Sequence, residues 1–416
     1  MKIKSFLGGV HPHEFKELSC DLAFEVMPKP KQVIIPTSQH IGKPAKIIVQ
    51  KGNEVKAGTL IAEQDGFISS PVYSSVSGKV SKIAMNHTML GFPKECVFID
   101  TIESDEVELL PKLDISKITP SEIKARVKLA GIVGQGGAAF PTFVKLTPPE
   151  TKKIDTVILN ACECEPYLTR DYRLLLEKPN EVVQGLHFIM VALGVEIGII
   201  GIENNKPKAI EVIKDTLKDY PNIFLEIVKT KYPQGAEKML IKAVTKREVP
   251  PGNLPLDVGV VVQNVGTAAA VYDAIINSTP QLSSALTVSG LGIKNSKNLI
   301  VKIGTPLQDI IDFCGGLNDN SYKVVAGGPM MGVALHDFSV PVTKATSGIL
   351  VLTKEEARNY EETTCLRCGK CIDVCPLFLM PTRLARLSQL EMYEEADKYG
   401  ITVCMECGSC TYSCPA

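Results

Sequence analysis

Two stretches near the end of the chain decide how the whole sequence is interpreted. Residues 365–376 read CLRCGKCIDVCP, and residues 404–415 read CMECGSCTYSCP. Each stretch has the spacing C-x2-C-x2-C-x3-C and is followed by Pro. Three thiolates at this spacing surround one point, while the fourth, held by the turn before Pro, reaches away from it. The repeat therefore predicts two cysteine-bound metal centres in one small C-terminal domain.

The duplicated spacing is typical of bacterial ferredoxins with two [4Fe–4S] clusters, in which the fourth Cys of each run binds the other cluster. Zinc also takes four-Cys sites, but usually through two CxxC pairs. The sequence therefore indicates a protein that transfers electrons one at a time. The predicted ligands are Cys365, Cys368, Cys371 and Cys414 for one cluster, and Cys404, Cys407, Cys410 and Cys375 for the second.

Composition indicates several folded domains in a reducing compartment. At 416 residues the chain is long enough for two to four domains, each with its own core. Its formal net charge of -1 gives no electrostatic reason to expect a nucleic-acid partner. Eight of the 13 Cys residues belong to the two runs, and no signal peptide is expected, so disulfides are not predicted.

One apolar stretch, residues 182–202, resembles a membrane span in its composition. It contains His187 and Glu196, however, and Gly194 and Gly198 interrupt it. We therefore predict a buried helix over about 180–193 and a short strand over 196–202. Any membrane association is expected to come from a partner subunit.

The sequence of the N-terminal quarter of the chain predicts an arm followed by an all-β domain. Residues 1–29 are punctuated by Gly and Pro and are expected to be extended. Over residues 30–104, apolar pairs alternate with turn signals, and Gly52, Val55, Gly58 and Leu60 nearly follow the pattern of biotinyl/lipoyl barrel-sandwich hybrids. The hairpin at 63–66 reads EQDG and has no Lys to acylate, so we expect a structural or docking module.

A glycine-rich loop is the candidate cofactor site. Residues 131–145 read GIVGQGGAAFPTFVK, and their glycines permit close approach of backbone N–H groups to an anion. The loop is not a Walker A sequence, and a tight turn explains it almost as well. The predicted strand 156–159, however, delivers the sequence NACECEP at residues 160–166 to the edge of a sheet where ligands gather.

These motifs resemble a known pair of families. The glycine loop followed by N-A-x-E-x-E-P is similar to the flavin- and NADH-binding subunit of respiratory complex I. The form with Cys-Glu-Pro-Tyr, the Gly-Gly-Val-His-Pro arm and the terminal two-cluster ferredoxin resembles the C subunits of Rnf complexes. This second resemblance covers essentially the whole chain. It implies a noncovalent FMN on the loop, NAD(H) as substrate, and ferredoxin:NAD⁺ oxidoreductase activity within an ion-translocating membrane complex.

The resemblance also implies roles for individual residues. Glu163 and Glu165 would be catalytic, facing the flavin and the nicotinamide, and Lys145 would meet the FMN phosphate. Asn160 would hydrogen-bond the flavin ring, and Phe140 would lie near the dinucleotide. The remaining implied cofactor-binding residues are Gly134, Gly136, Gly137, Tyr232, Glu237 and Asn264.

Some positions depart from the complex I pattern. Arg is replaced by Val133 and Gln135, which weakens the case for identical dinucleotide contacts. Cys162 and Cys164 have no CxxC spacing and are predicted to be buried small side chains that share one face of an extended segment, not cluster ligands. Between the motifs, residues 205–219 carry Lys206 and three further Lys residues and predict a solvated helix face, or alternatively a basic patch for acidic ferredoxin.

The predicted fold class is multidomain α/β and β. A barrel-sandwich hybrid at 30–104 is followed by an FMN- and NADH-binding α/β domain at 112–280, a β-grasp domain of the SLBB type at 283–342 and a helical two-cluster ferredoxin domain at 355–416. The expected partners are the other Rnf subunits, with ferredoxin acting indirectly, and the expected location is the cytoplasmic face of the membrane. Two alternatives remain open: a soluble flavin/iron–sulfur reductase such as a microcompartment cobalamin reductase, and an electron-relay or scaffold subunit without flavin.

Overall fold

Four folded units follow one another along the chain. The computed structural model describes residues 3–89, 91–357 and 361–416. In chain order, the units are a β-sandwich of two small sheets, an α/β domain with a parallel sheet, a mixed six-stranded sheet with one helix, and a helical C-terminal domain. This architecture is the multidomain α/β and β class that the sequence predicts.

The N-terminal arm contacts three of these units instead of extending into solvent. Lys4 and Val10 form isolated bridges with Val228 and Tyr232 of the α/β domain. Strand β1 (Phe24–Val26) pairs in parallel with a strand of the six-stranded sheet. The Gly9 N–H also donates to the Val374 carbonyl of the C-terminal domain, at 2.8 Å. The arm therefore connects the α/β domain, the six-stranded sheet and the C-terminal domain.

The β-sandwich encloses an aliphatic core. Alternate residues of its strands face inward, as the period-two geometry of a strand requires, so that Val33, Ile35, Val97 and Ile99 are fully buried. One sheet has the strand order β2-β8-β7-β4 and the other the order β3-β5-β6. Their strands are β2 (Gln32–Pro36), β3 (Lys46–Ile47), β4 (Glu54–Val55), β5 (Leu60–Glu63), β6 (Val72–Tyr73), β7 (Gly78–His87) and β8 (Pro93–Thr101).

The α/β domain is built on a four-stranded parallel sheet with the order β11-β10-β9-β12. Parallel strands place all their carboxyl ends at one edge, where ligands bind in such sheets. The strands are β9 (Thr156–Ala161), β10 (Ile197–Glu203), β11 (Ile223–Val228) and β12 (Val260–Asn264). The helices are α1 (Pro120–Leu129), α2 (Thr142–Lys145), α3 (Arg170–Glu177), α4 (Pro179–Leu193), α5 (Pro207–Thr216), α6 (Glu237–Thr245) and α7 (Val265–Ile276).

The apolar stretch at 182–202 folds as the sequence predicts. Helix α4 ends where Gly194 adopts φ 66°, a left-handed conformation that glycine tolerates and that terminates helices. Strand β10 then runs through the middle of the parallel sheet. Among the described residues, no helix has the length and apolar character needed to cross a bilayer.

The six-stranded sheet combines segments from distant parts of the chain. Its order is β1-β14-β13-β17-β15-β16, so it extends beyond the predicted range 283–342 at both ends. The central strand β17 pairs with both β13 and β15. The elements are β13 (Ser283–Ser289), β14 (Lys297–Lys302), α8 (Leu307–Phe313), β15 (Ser321–Ala326), β16 (Val333–Leu335) and β17 (Gly348–Thr353).

The C-terminal domain repeats one local conformation at each Cys run. Helices α9 (Lys370–Asp373) and α12 (Ser409–Ser413) begin directly after Gly369 and Gly408, which have φ 79° and 75°. These two helices pack against each other, and α10 (Pro381–Gln389) and α11 (Tyr393–Lys398) connect them. The sequence repeat is therefore also a structural repeat.

A buried Lys joins three of the units at the glycine loop. Lys344 is 1% exposed, and its Nζ donates to the carbonyls of Pro71 and Gly131, both at 2.7 Å. Its backbone N–H donates to Gln39 Oε1 at 3.0 Å. Burial lowers the pKa of the Lys344 ammonium to about 7. The first residue of the glycine loop is thus fixed by an amine from the segment between β16 and β17.

The lowered pKa predicts how stability depends on pH. Between pH 7 and pH 10.5 the unfolded chain carries a proton on Lys344 that the folded chain lacks, so the Lys344 contribution to the free energy of unfolding rises with pH in that window. We expect the wild-type chain to gain stability relative to Lys344→Met by up to about 1.4 kcal/mol per pH unit. Denaturant unfolding of both proteins at pH 7 and pH 9.5 measures this difference. Parallel pH profiles would contradict it.

Candidate functional site

The glycine loop lies between α1 and α2 and is shaped by its own backbone. The Gly134 N–H donates to the Phe140 carbonyl at 2.8 Å, which closes the loop on itself. Gly137 has φ 108°, and an added Cβ there would meet nothing within 4 Å. The predicted residues Gly134, Gly136, Gly137 and Phe140 thus belong to one short, open turn.

The tip of this loop has free hydrogen-bond donors. Gly136, Gly137 and Ala138 are exposed, and their N–H groups have no protein acceptor among the described residues. The neighbouring Gln135 N–H, by contrast, is bound to Thr267 Oγ1 at 2.9 Å. Successive free N–H groups in a glycine turn form a concave site for anionic oxygens. The loop therefore fits a phosphate-bearing cofactor such as FMN.

Two of the predicted cofactor-binding residues are paired with each other. The Lys145 Nζ lies 2.8 Å from Glu237 Oε1 and donates to the Val262 carbonyl at 3.1 Å. Both side chains are about one-third exposed, at 32% and 37%. Lys145 is the last residue of α2 and of the glycine-rich stretch 131–145. A positive charge is thus available beside the loop and is already held in place.

Asn160 joins two of the predicted motifs at the end of β9. Its Nδ2 donates to the Gly235 carbonyl at 2.7 Å, in the loop that contains Tyr232 and leads into helix α6 at Glu237. The Gly235 N–H in turn donates to Cys164 Sγ at 3.2 Å. A Cβ on Gly235 would lie 3.1 Å from that sulfur and 3.4 Å from the Cys162 Cβ, so a larger residue would push the sulfur away by a few tenths of an ångström.

Cys162 is buried and Cys164 is half-buried, and both lie against Gly235 on one side of the segment. Burial raises the pKa of both thiols, that of Cys164 to about 12, so both stay protonated and unreactive. The segment is not extended as predicted, however, because β9 ends at Ala161 and Glu163 has φ 43°. A left-handed conformation at a non-glycine residue is uncommon and is often found at functional sites.

The Glu163 carboxylate caps helix α3. It accepts the N–H groups of Asp171 and Tyr172 at 2.7 and 3.2 Å, at the positive end of the helix dipole. Burial raises the pKa of Glu163 to about 7, although nearby Lys16 opposes this shift. The structure thus places this predicted catalytic carboxylate on backbone amides, with its proton affinity tuned near neutrality.

The Glu165 carboxylate binds a loop of the six-stranded domain. Its two oxygens accept the N–H groups of Met330 and Met331 at 3.0 and 2.9 Å. Gly328 packs so closely that an added Cβ would lie 2.3 Å from Glu165 Oε2. Burial raises the pKa of Glu165, while the amides lower it. In this structure Glu165 joins two domains, and its predicted place beside the nicotinamide stays a prediction.

A buried polar network that the sequence analysis missed supports the glycine loop. The Arg170 guanidinium binds Asp171 Oδ1 at 2.6 Å, the Gln135 carbonyl at 3.1 Å and Asn264 Oδ1 at 3.1 Å. Asn264 also donates to Asp171 Oδ2 at 2.6 Å, and Arg170 Nη1 is buried without an acceptor in the described part of the chain. The Arg170 guanidinium, at the start of α3, therefore contacts the glycine loop. This is the loop in which Val133 and Gln135 replace the two Arg residues of complex I. The only signal of this network in the sequence is an Arg-Asp pair shortly after the NACECEP motif.

Lys16 of the arm holds the segment after β9. Its Nζ donates to the carbonyls of Glu163, Glu165 and Leu168 at 2.9, 3.0 and 2.6 Å. Burial lowers the pKa of Lys16, and the charge of Glu163 opposes this shift. Nothing in the sequence around Lys16 indicates this contact with a segment far along the chain. The arm is thus part of the site.

Lys16→Met is expected to loosen the site, because it leaves three carbonyls without their donor while keeping a similar aliphatic stem. The loss should be roughly 1–3 kcal/mol of stability, with weaker flavin binding. Thermal unfolding and FMN titration measure both effects. Lys51→Met, at an exposed turn, is the matched control. Equal melting and equal flavin affinity in the two variants would contradict this role for Lys16.

The prediction of a solvated basic face holds for Lys208, Lys214 and Lys218, which are exposed, but not for Lys206. Lys206 is 2% exposed and pairs with Glu203 at 2.9 Å, while its Nζ also donates to the Cys162 carbonyl at 2.8 Å. Glu203 is 1% exposed, so this ion pair is fully buried. Helix α5 begins at Pro207, after Lys206, which is why the helical pattern did not describe this side chain.

Tyr232 is buried between the α/β domain and the C-terminal domain. Its side chain, 2% exposed, shares an apolar cluster with Val10 and Cys407, and Cys164 packs against that cluster. The Tyr232 hydroxyl has no partner among the described residues. Tyr232 therefore lies between the end of the parallel sheet and one Cys run.

The Cys runs have the local geometry of cluster-binding loops. The Arg367 N–H points at Cys365 Sγ and the Glu406 N–H at Cys404 Sγ, both at 3.4 Å. Arg367 and Glu406 have φ 54° and 55°, which turns their amides toward the thiols. Among the described residues, no three His, Cys, Asp or Glu side chains converge on a point suited to a single metal ion. A [4Fe–4S] cluster takes one Cys at each iron, so its ligands fit around a larger body.

The fold and these sites define an electron-transfer protein with a flavin site and an iron–sulfur domain. Matches to four known families agree with the observed units. Residues 4–105 match the RnfC barrel sandwich hybrid domain, residues 127–273 the Nuo51 FMN-binding domain, residues 286–334 the SLBB domain and residues 358–415 a 4Fe-4S dicluster domain. The predicted fold class and the predicted cofactors, FMN and two [4Fe–4S] clusters, are thereby confirmed.

Similar proteins identify the family more closely. The C subunit of the proton-translocating ferredoxin:NAD(+) oxidoreductase complex of Clostridium ljungdahlii is 48% identical, over 94% of this chain and 86% of its own length. The corresponding protein of the Na(+)-translocating complex of Acetobacterium woodii is 44% identical, over 95% and 89%. The C subunit of the ion-translocating oxidoreductase complex of Rhodobacter capsulatus is 40% identical, over 91% and 74%. The chain belongs to the C-subunit family of Rnf complexes, as the motifs indicate.

The fold also occurs among solved structures. A chain of an NAD+-reducing [NiFe]-hydrogenase in the H2-reduced state superimposes with a TM-score of 0.52. The match covers 71% of this chain and 60% of the hydrogenase chain, at 19% sequence identity. At this identity the likeness describes the fold alone.

Proposed function

We propose that this chain is the NAD(H)-oxidoreducing subunit of a ferredoxin:NAD⁺ oxidoreductase complex that translocates ions. It passes electrons between NAD(H), an FMN on the glycine loop and the two clusters of the C-terminal domain. The observation that carries this proposal is the contact between the two cofactor regions, because Tyr232 packs beside Cys164 of the flavin domain and against Cys407 of a Cys run. The two ends of the electron path thus meet in one chain.

The chemistry needs a group that exchanges electrons both in pairs and singly. Bound FMN supplies this exchange between the hydride of NAD(H) and the one-electron iron–sulfur clusters, while the protein supplies position and potential. The free amides of Gly136 and Gly137 and the ammonium of Lys145 would hold the phosphate. Asn160 would orient the flavin ring from the end of β9. Neither a proton relay nor a nucleophile is required of the chain.

Glu163 and Glu165 shape the site through the backbone they bind. Glu163 fixes the start of α3, from which Arg170 reaches the glycine loop. Glu165 fixes the loop at Met330, which lies beside the Cys407 run. We infer that the two carboxylates fix the positions of the flavin site, the six-stranded domain and the cluster domain relative to one another.

The eight Cys residues of the two runs are the proposed cluster ligands, with the fourth Cys of each run crossing to the other cluster. Helices α9 and α12, one in each run, are in contact, as this exchange requires. Cys162, Cys164 and Cys314 belong to other units and take no part.

The chain is expected to act as a peripheral subunit on the cytoplasmic face of the membrane. Eight thiolates that must remain reduced for cluster assembly favour a reducing compartment. Membrane-embedded and iron–sulfur subunits of the same complex are the expected partners. Co-purification with them would separate this function from that of a soluble flavin/iron–sulfur reductase with the same fold.

The catalytic proposal is tested by adding NADH, without oxygen, to the isolated chain after reconstitution with FMN. We expect about one FMN per chain and rapid bleaching of the flavin absorbance. A relay or scaffold protein would bind no flavin. Failure of the reconstituted chain to retain FMN, or an unbleached flavin band after NADH, would overturn the proposal.

A further inference from the structure

The two Cys sets lie in different environments. In the set Cys404, Cys407, Cys410 and Cys375, two residues are buried, with Cys407 8% and Cys375 9% exposed. In the other set, Cys365 and Cys368 are both exposed, and Leu366 between them is 66% exposed. We name these the inner set and the outer set. The difference does not follow from the sequence, because the two runs have identical spacing.

The inner set rests on the body of the protein through three contacts. Cys407 packs against Tyr232 and Val10. The carbonyl of Cys375 lies against Gly8, where an added Cβ would approach it to 3.0 Å. Gly408, next to Cys407, lies close to the Met330 carbonyl, 3.3 Å from an added Cβ. The arm, the Tyr232 loop and the Met330 loop thus form one contact surface for the inner set.

The same contact surface is also bound to the flavin domain. Tyr232 is in the same loop as Gly235, which binds both Asn160 and Cys164 at the end of β9. Met330 is held by Glu165 of the adjoining segment. The Tyr232 loop therefore contacts both the inner set and the end of β9, which carries the predicted flavin-binding residue Asn160.

The Tyr232 hydroxyl is the unexplained group in this contact surface. It is buried and has no acceptor among the described residues. A buried Tyr hydroxyl usually finds a partner, since leaving it unpaired costs free energy. Its ring packs against Cys407, whose sulfur is a predicted cluster ligand. Hydrogen bonds to cluster sulfurs tune the reduction potential and are supplied by residues just outside the ligand set.

We infer that the inner cluster is the one adjacent to the flavin, that Tyr232 lies between the two and donates its hydroxyl hydrogen to a sulfur of that cluster, and that the outer cluster exchanges electrons with a one-electron redox partner. This inference rests on the proposed function. Each step beyond the flavin would move one electron and would make or break no covalent bond. Two such steps would carry the electron pair of one hydride, and the proton of that hydride would pass from the reduced flavin to solvent.

The test is redox potentiometry followed by EPR on the reconstituted full chain. Cys407→Ser and Cys368→Ser first identify the signals of the inner and the outer cluster. Tyr232→Phe should then lower the midpoint potential of the inner cluster. A hydrogen bond to a cluster sulfur stabilises the reduced cluster, which is the more negative form, and this variant removes that hydrogen bond. The outer signal should remain unchanged. Tyr412→Phe, at an exposed residue of the second Cys run, is the matched control and should leave the inner potential unchanged.

A second measurement uses the wild-type chain and needs no variant to fold. A hydrophilic iron chelator added under mild oxidation should remove the outer signal before the inner signal. Simultaneous loss, or loss of the inner signal first, would overturn the inference, as would a Tyr232→Phe shift that is absent or confined to the outer cluster. A failure of the proposed function can be distinguished from a failure of this inference. The reconstituted chain would then lack FMN or iron before any potential is measured.

Discussion

Cys414→Ser is expected to abolish or reshape the EPR signal of the cluster bound by Cys365, Cys368 and Cys371, although it lies in the other Cys run. The reason is that Cys371 lies in α9, which packs on α12, and Cys414 directly follows α12. Burial raises the pKa of the Cys371 thiol, and the proximity of Cys410 and Cys414 raises it further. Because a cubane needs one Cys per iron, we expect a loss of up to about half of the bound iron.

EPR and iron analysis of the anaerobically reconstituted variant measure this effect. Cys314→Ser is the matched control, since Cys314 is fully buried in the six-stranded domain and is predicted to bind no iron. Selective loss of the signal that belongs to Cys404, Cys407 and Cys410 would contradict the crossed arrangement and indicate that each run binds its own cluster.

Lys145→Ala is expected to weaken FMN binding by roughly 10- to 100-fold, because a charge-assisted hydrogen bond to phosphate is worth about 1.5–3 kcal/mol. The variant should keep both cluster signals, since Lys145 belongs to the α/β domain. Its stability should change little, because the lost ion pair with Glu237 is partly exposed. Fluorescence titration of the flavin-free chain with FMN gives the affinity.

Lys152→Ala is the control for Lys145→Ala, because Lys152 forms a partly exposed ion pair with Asp257 in the same domain. It should bind FMN as tightly as the wild-type chain. If Lys145→Ala also retained wild-type affinity, the phosphate would have to be held by the loop amides alone.

Local patterns in the sequence were sufficient for most of the fold. The helix and strand within residues 182–202 were predicted because Gly194 marks the break and the two halves differ in periodicity. The Cys runs determine their own backbone, with glycine at positive φ before each short helix. The glycine loop, too, was found from composition and from its place before a buried strand.

Contacts between distant segments could not be predicted in this way. Lys16 reaches residues 163–168 only because β1 and the arm are held by other domains, and no local pattern encodes that placement. Arg170 and Lys206 are charged, and charged side chains are expected to be exposed. Their burial is understandable only once their ion-pair partners, Asp171 and Glu203, are known. Strand β17 lies beyond the predicted end of its domain at residue 342, and yet it is a central strand of the sheet.

The carboxylates illustrate the same limit at the site itself. The motif that contains Glu163 and Glu165 was identified correctly as part of the sheet edge, but the hydrogen-bond partners of the two side chains lie in α3 and in the Met330 loop. Tyr232 likewise was chosen from its motif, while its contact with Cys407 depends on the docking of the cluster domain.

The most direct test of the central claim is whether electrons from NADH reach the clusters only through the flavin. NADH is added anaerobically to one preparation of the cluster-loaded chain, with and without FMN, and reduced clusters are counted by EPR. We predict reduced-cluster signals in the FMN-containing sample and none in the flavin-free sample. Equal signals in both samples, or oxidised clusters beside a fully bleached flavin, would contradict the account.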